Sequence, residues 1–209
     1  AHWNRALALR DLGLGLAAAA AFERVAELDP PWAEEARRRA EAARAPLVEA
    51  KGRWQEVYAR GTAMIPDGPL LAIDLARAVP GRARLRFHDA IRTARSRDRL
   101  EALRPLARVL DGRAGGGLER YIDAAARGFG PARAALAPAY AELLVRQGVV
   151  DPATFARLVA AARAAGADDV VLGAHYLARG ADPTTQALAA ATDDPWFIGL
   201  TAVDRAVAA

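Results

Sequence analysis

The chain has 209 residues, 53% hydrophobic but only 6% aromatic, with a net charge of +4, enough to bury the core of one large domain or two small ones. With no cysteine, it can offer no thiol nucleophile, disulfide, cysteine-ligated zinc or iron–sulfur cluster. Lys51, the only lysine, is followed by Gly52 and cannot close a G-x-x-x-x-G-K-[ST] phosphate loop. Alanine makes up about a quarter of the residues, and such a chain favours helices over sheets.

In chain order, Trp3, Ala6, Leu7 and Leu9 follow helical spacing up to Leu12, and Gly13 breaks the pattern. A second helix is expected from Leu16 to Leu28, with Ala18, Phe22, Val25 and Ala26 on one face, stopped by Asp29-Pro30-Pro31. Trp32 to Arg44 has acids early and arginines late, matching a helix macrodipole. A separate amphipathic helix is expected through Leu47, Ala50, Trp54, Val57 and Tyr58. Beyond the Ile65-Pro66-Asp67-Gly68-Pro69 loop, helices fit Leu70–Ala78, Ala83–Ala94, Arg97–Leu110 and Leu118–Ala126. Further on, Pro131, Pro152, Pro183 and Pro195 sit where first-turn prolines belong, three of them behind an aspartate placed to cap. They open helices over Pro131–Arg146, Pro152–Ala165, Pro183–Ala191 and Pro195–Ala208, with another over Asp169–Ala178. Val149-Val150 and Val170-Val171 are too short for strands. The fold class expected is all-α, a stack of antiparallel helical hairpins. It divides into a first hairpin with its following helix (1–44), a degenerate helical region (45–128) and C-terminal hairpins (129–209).

Asn4, Ala6, Leu9, Gly13, Ala18, Phe22, Val25 and Leu28-Asp29-Pro30 fall at the spacing of the small and large positions of a tetratricopeptide repeat, which this hairpin resembles. Trp3 stands one place off that repeat's aromatic position, and Ala6 replaces a common glycine. The wider order of pieces is similar to the helical region preceding the protease domain of bacterial caspase-like CHAT proteins. It runs from Leu28-Asp29-Pro30-Pro31-Trp32-Ala33-Glu34-Glu35-Ala36-Arg37 through a degenerate stretch to Asp194-Pro195-Trp196-Phe197. The resemblance implies repeats that sense or bind a partner, beside a separate domain carrying a Cys-His dyad. No catalytic residue carries over, because the chain has no cysteine.

The candidates for chemistry are few. His88 is followed by Asp89, but adjacent helical residues point about 100° apart, so the acid does not orient the imidazole. His2 and His175 stand alone, and no two histidines have metal-ligand spacing. The pairs Glu34-Glu35, Asp168-Asp169 and Asp193-Asp194 all sit at helix starts, where capping and the macrodipole account for them. Gly115-Gly116-Gly117 lacks the preceding strand and following lysine of a phosphate cradle. Ser96, the only serine, lies between two arginines.

Charge is uneven. Arg82, Arg84, Arg86, Arg92, Arg95, Arg97 and Arg99 lie close together, with only Phe87 interleaved for stacking on bases. The longest apolar run, Leu12 to Phe22, is about half a membrane span and is flanked by Asp11 and Glu23. No secretory leader opens the sequence, so the chain reads as part of a longer cytoplasmic protein that engages no membrane. These features point to a non-catalytic helical scaffold, without cofactor or metal, that binds a protein or peptide through a groove near Asn4 and Arg5. The alternative is a nucleic-acid or anionic-ligand surface on residues 82–99, for which Arg84, Arg92 and Arg95 are the candidate contacts.

Overall fold

A computed structural model describes residues 2–112, 117–192 and 195–208. Among them there is no strand, and the all-α expectation holds. The helices are α1 (His2–Asp11), α2 (Gly15–Leu28), α3 (Ala33–Ala63), α4 (Ile73–Ala78), α5 (Pro80–Arg92), α6 (Arg97–Ala102), α7 (Arg104–Asp111), α8 (Gly117–Arg127), α9 (Pro131–Ala134), α10 (Ala137–Val145), α11 (Pro152–Ala164), α12 (Asp168–Arg179), α13 (Pro183–Ala191) and α14 (Pro195–Ala208). They form two compact units, Ala1–Glu56 and Val57–Ala209.

The first unit is built on small residues. The chain reverses at Gly13, with φ +75°, and α2 stops at Leu28 ahead of a single 3₁₀ turn, Pro30–Trp32. Ala6, Ala18, Ala19, Phe22 and Ala36 are fully buried. Alanine at those places brings helix backbones close, and Phe22 fills the space they leave. Trp3 closes one end, edge-on to Phe22 at 5.5 Å and tilted against Trp32 at 5.3 Å.

The region between Trp32 and Tyr58 departs from expectation. One continuous helix, α3, replaces two, and Pro46 lies inside it. Proline removes the bond to the carbonyl of Ala42, but both residues are exposed, so water can take up the freed acceptor. The apolar stripe expected to be covered is largely open: Leu47 is 41% and Trp54 45% exposed, and only Val57 is fully buried.

The second unit holds two larger apolar clusters and a small one. Val57, Met64, Phe87, Ile91, Leu100, Leu103, Leu106 and Ile122 form the first. Leu136, Tyr140, Leu143, Val159, Val170 and Ala174 centre the second, around α10, α11 and α12. Leu172, Ala189 and Phe197 make the third. Two expected helices are each broken in two. Arg97–Leu110 divides at Leu103, and Pro131–Arg146 divides after Ala134, because Pro105 and Pro138 stand in the first turns of α7 and α10. A proline there starts a helix well but cannot continue the preceding one. The caps are as expected where they are described. Asp151 accepts from Ala153 N and Thr154 N, and Asp182 accepts from Thr185 N; Asp193 and Asp194 lie outside the described residues.

Gly173 in α12 is required by its neighbours. A Cβ there would lie 2.2 Å from Tyr140 Oη and 2.6 Å from Arg92 Nε, both buried. By contrast, a Cβ on Gly52, exposed within α3, would meet nothing within 4 Å. Gly173→Ala is therefore expected to destabilise the protein by about 1–3 kcal/mol through overpacking. Gly52→Ala is expected to stabilise it by about 0.8–1 kcal/mol through helix propensity. Urea unfolding of the two variants checks the opposite signs.

Candidate functional site

Most of the arginine-rich segment is turned into the protein. Arg82 and Arg86 lie over the Tyr58 ring at 4.5 and 4.6 Å, and Arg86 also reaches Asp89 at 3.2 Å. Arg84 donates to the Leu110 carbonyl and stands 3.6 Å from Asp111. Arg99 donates to the Met64 carbonyl at 2.7 Å. Of the three candidate contacts here, Arg84 is half-buried, Arg92 is 3% exposed and Arg95 lies at the surface, 3.7 Å from Asp67. These partners lie within the fold rather than outside it. A guanidinium has five donors to place; backbone carbonyls, acids and an aromatic ring engage part of each of Arg84, Arg86, Arg92 and Arg99, while Arg86 Nε, Arg92 Nη2 and Arg99 Nε are buried without a hydrogen-bond partner. Arg95 and Arg97 are the members of the segment left exposed.

Arg92 belongs to a buried polar cluster. Its Nε donates to the Asp169 backbone carbonyl at 2.9 Å and its Nη1 to Tyr140 Oη at 3.3 Å. Asp89 stands 3.6 Å away. Arg133 clasps the Asp169 carboxylate through two bonds, at 2.7 and 2.6 Å. The two carboxylates respond in opposite ways. Burial dominates at Asp89 and holds its pKa above the usual range despite Arg92 and Arg86. Burial also pushes Asp169 upward, but its hydrogen bonds from Arg133 and the charges of Arg133 and Arg92 outweigh this and hold it below the usual range. In the sequence Asp169 reads as an acid at a helix start, complementing the macrodipole, and Arg133 carries no local signal at all. Only the fold brings them together, across 36 positions of sequence.

The other sequence candidates have structural surroundings. His88 is fully buried and stacked on Trp196 at 5.6 Å, with Tyr121 and Phe197 edge-on at 5.0 and 5.6 Å. Its Nδ1 lies 2.8 Å from the Arg84 carbonyl, which can only accept, so Nδ1 carries the proton. Asp89 faces the arginines, as the 100° offset implies. Ser96 caps α6 by accepting from Arg99 N at 3.1 Å. Glu35 pairs with Arg39 at 2.6 Å. Gly115 and Gly116 lie outside the described residues, and Gly117 begins α8. Among the described residues no cluster of three or more acidic or histidine side chains could hold a metal, and no helix is long and apolar enough to cross a membrane.

Two of the open concavities combine apolar walls with cationic side chains that make no ion pair among the described residues. In the first unit a cleft of about 460 Å³ between α1 and α2 has Leu9, Ala17, Ala20 and Ala21 as its floor, with His2, Arg5 and Arg24 around it. Asn4 and Arg5 are exposed on α1, and of the two only Arg5 lines this cleft. In the second unit a groove of about 490 Å³ runs between α11 and α12, with His175, Arg163 and Arg179 along apolar walls. The second was not anticipated, because its residues are dispersed over three elements and none forms a motif. No protein-family model matches the sequence, and no curated protein matches it significantly.

Breaking the buried pair tests the cluster. Arg133→Met leaves the Asp169 carboxylate buried without its main partner and is expected to cost about 3–5 kcal/mol. The wild-type pair has a depressed Asp169 pKa, so its stabilisation is present above the unfolded carboxylate pKa near 3.9 and fades as pH falls through the folded value. In the variant, protonation removes the unpaired charge. The gap between the two proteins in urea unfolding should therefore narrow as the pH is lowered below about 4.

Proposed function

We propose that this chain is a non-catalytic helical scaffold that binds a protein or peptide segment in the cleft between α1 and α2. The observation that carries the reading is the makeup of that cleft. Its floor is alanine and Leu9, while Arg5, which is in no ion pair among the described residues, stands beside it. Small floor residues let a bound chain approach the helix backbones, and preformed helix faces recognise it without an ordering cost on the scaffold side. An exposed arginine without an acid selects a carboxylate and steers acidic segments toward the cleft. The preferred occupant is thus a short segment with small apolar side chains and one or more acids. Arg24, the second cation at the cleft, is already paired with Glu27 at 2.7 Å, so Arg5 is the principal selector.

The tetratricopeptide resemblance supports this reading, since the repeat's helices form partner-binding concavities. The resemblance to the helical region of CHAT proteins supports a regulatory or sensing role within a larger multidomain protein. The outward pair Arg95 and Arg97 is a small remainder for the alternative of anion or nucleic-acid binding, which needs several phosphate contacts to gain useful affinity.

Selection of random seven-residue peptides on the whole chain provides the test. Acidic peptides with alanine, serine or valine are expected to be enriched. Arg5→Glu and Ala20→Arg, which reverse the charge and fill the floor, are each expected to weaken the selected peptides at least tenfold, measured by calorimetry on variants with unchanged circular dichroism. Selected peptides that bind both variants as tightly as the parent would overturn the assignment of this cleft.

A further inference from the structure

The groove between α11 and α12 is made of two kinds of surface. Val150, Pro152, Phe155 and Val159 supply an apolar wall, and Arg163, His175 and Arg179 supply polar groups. His175 and Arg179 are four residues apart on α12, so they share a helix face. Phe155 on α11 meets the His175 ring edge-on at 5.2 Å, and the Arg179 guanidinium lies 5.6 Å from the Phe155 ring centre. Both the imidazole and the cation are thus held against one aromatic ring.

His175 is only 7% exposed, and its Nδ1 is buried without a hydrogen-bond partner. A buried polar atom left in this way is costly and calls for an explanation. Arg163 and Arg179 are exposed and in no ion pair among the described residues. The acid near them, Asp182, has its carboxylate engaged at the start of α13, accepting from Thr185 N at 2.7 Å. The groove therefore gathers two cations and an imidazole, with no acid among its lining residues and one carboxylate, Asp182, nearby. Its volume is within the range of sites that take small organic molecules.

We propose that this groove binds a small monocarboxylate with a short apolar tail. The carboxylate would sit among Arg163, Arg179 and His175, accepting charge-assisted bonds from the guanidinium groups, and the tail would lie along Val150, Phe155 and Val159. A phosphate ester suits the place less well, because a doubly charged, strongly hydrated group gains nothing from the apolar wall. The site lies in the second unit and does not depend on the α1–α2 cleft, so either can fail without the other.

The groups facing His175 give the binding a distinct signature. Burial lowers its pKa, with the Arg179 charge adding to this, the Asp182 charge opposing it and the Arg163 charge contributing further to the depression. The imidazole is therefore neutral at pH 7 in the free protein. A carboxylate seated against it offsets the two cations and favours the charged ring, so occupancy raises the His175 pKa and takes up protons between the two values.

The probe is hexanoate, with hexanamide as its uncharged counterpart, titrated by calorimetry into the whole chain. NMR follows the ring signals of His2, His88 and His175. Hexanoate is expected to bind at least tenfold more tightly than hexanamide and to move the His175 titration upward while leaving that of His2 unchanged. Arg163→Gln with Arg179→Gln is expected to weaken hexanoate at least tenfold, and Arg163→Gln alone, a change at an exposed position, by a smaller factor in the same direction. Equal binding of acid and amide, an unmoved His175 signal or unaltered affinity in Arg163→Gln would overturn the proposal. So would much tighter binding of a tetrapeptide with a free C-terminal valine, which would identify a chain terminus as the occupant.

Discussion

The second unit depends on a guanidinium that has no access to water. Arg92 leaves the end of α5 and lies against α10 and α12, donating to the Asp169 carbonyl and Tyr140 Oη, with Asp89 beside it. Removing such a charge from water costs several kcal/mol, and the surroundings offset that cost only if these partners are held in place. They are held because the polar cluster joins α5, beside the first apolar cluster, to α10 and α12 of the second. Apolar packing is non-directional; hydrogen bonds at 2.6–2.9 Å from Arg133 and Arg92 to Asp169 are not. The cluster is best understood as setting registry, with much of its Coulombic gain consumed by desolvation.

That registry has a consequence for α12. Asp169 and Gly173 are four residues apart and share the face turned to Arg92 and Arg133. The absence of a side chain at Gly173 is what lets Arg92 and Tyr140 approach. With this face committed, the α12 positions on another side, among them His175, Ala178 and Arg179, are presented to α11 and line the groove. The groove is thus shaped by a helix whose rotation is fixed from behind, the arrangement that keeps a site's polar groups at constant spacing. The same helix also carries Tyr176, which donates to Asp204 of α14 at 2.8 Å and constrains it on a further side.

How much of this could be read from sequence follows the range of the interactions involved. Local chemistry was legible: the turn at Gly13, the stop before Pro30, the caps at Asp151 and Asp182, and the small buried positions Ala6 and Ala18 all depend on neighbours within a few residues. Pro105 and Pro138 each end one helix and begin another inside a stretch whose apolar periodicity runs on without a break. At Pro46 the reverse occurred, because an exposed helix can lose one bond to water and continue. The polar cluster was not legible. Arg133 pairs with Asp169 and Arg92 with Asp169 and Tyr140 over separations of 36 to 77 residues, and nothing in the periodicity of either partner marks them. His88 and His175 looked alike in sequence. One is enclosed by aromatic rings and bonded to a carbonyl; the other has a buried, unsatisfied nitrogen beside an open groove.

The arginine-for-lysine substitution throughout the chain then acquires a structural meaning besides its effect on charge. A lysine at position 92 would place one compact, strongly hydrated ammonium where a planar fork now reaches a carbonyl and a phenol while lying near an acid. It could not also lie 5.2 Å from the Phe197 ring centre with its flat face available for stacking. Burial of Arg92 and Arg133 is feasible because guanidinium groups are more weakly hydrated than ammonium and can meet several acceptors at once. The clustering of arginines between positions 82 and 99 is therefore a poor guide to a polyanionic partner, since most of that cluster is engaged inside the fold. The informative arginines are the exposed ones beside concavities and without acids, Arg5 in the first unit and Arg163 and Arg179 in the second. Each stands where a carboxylate from outside would complete a set of contacts that the chain leaves incomplete.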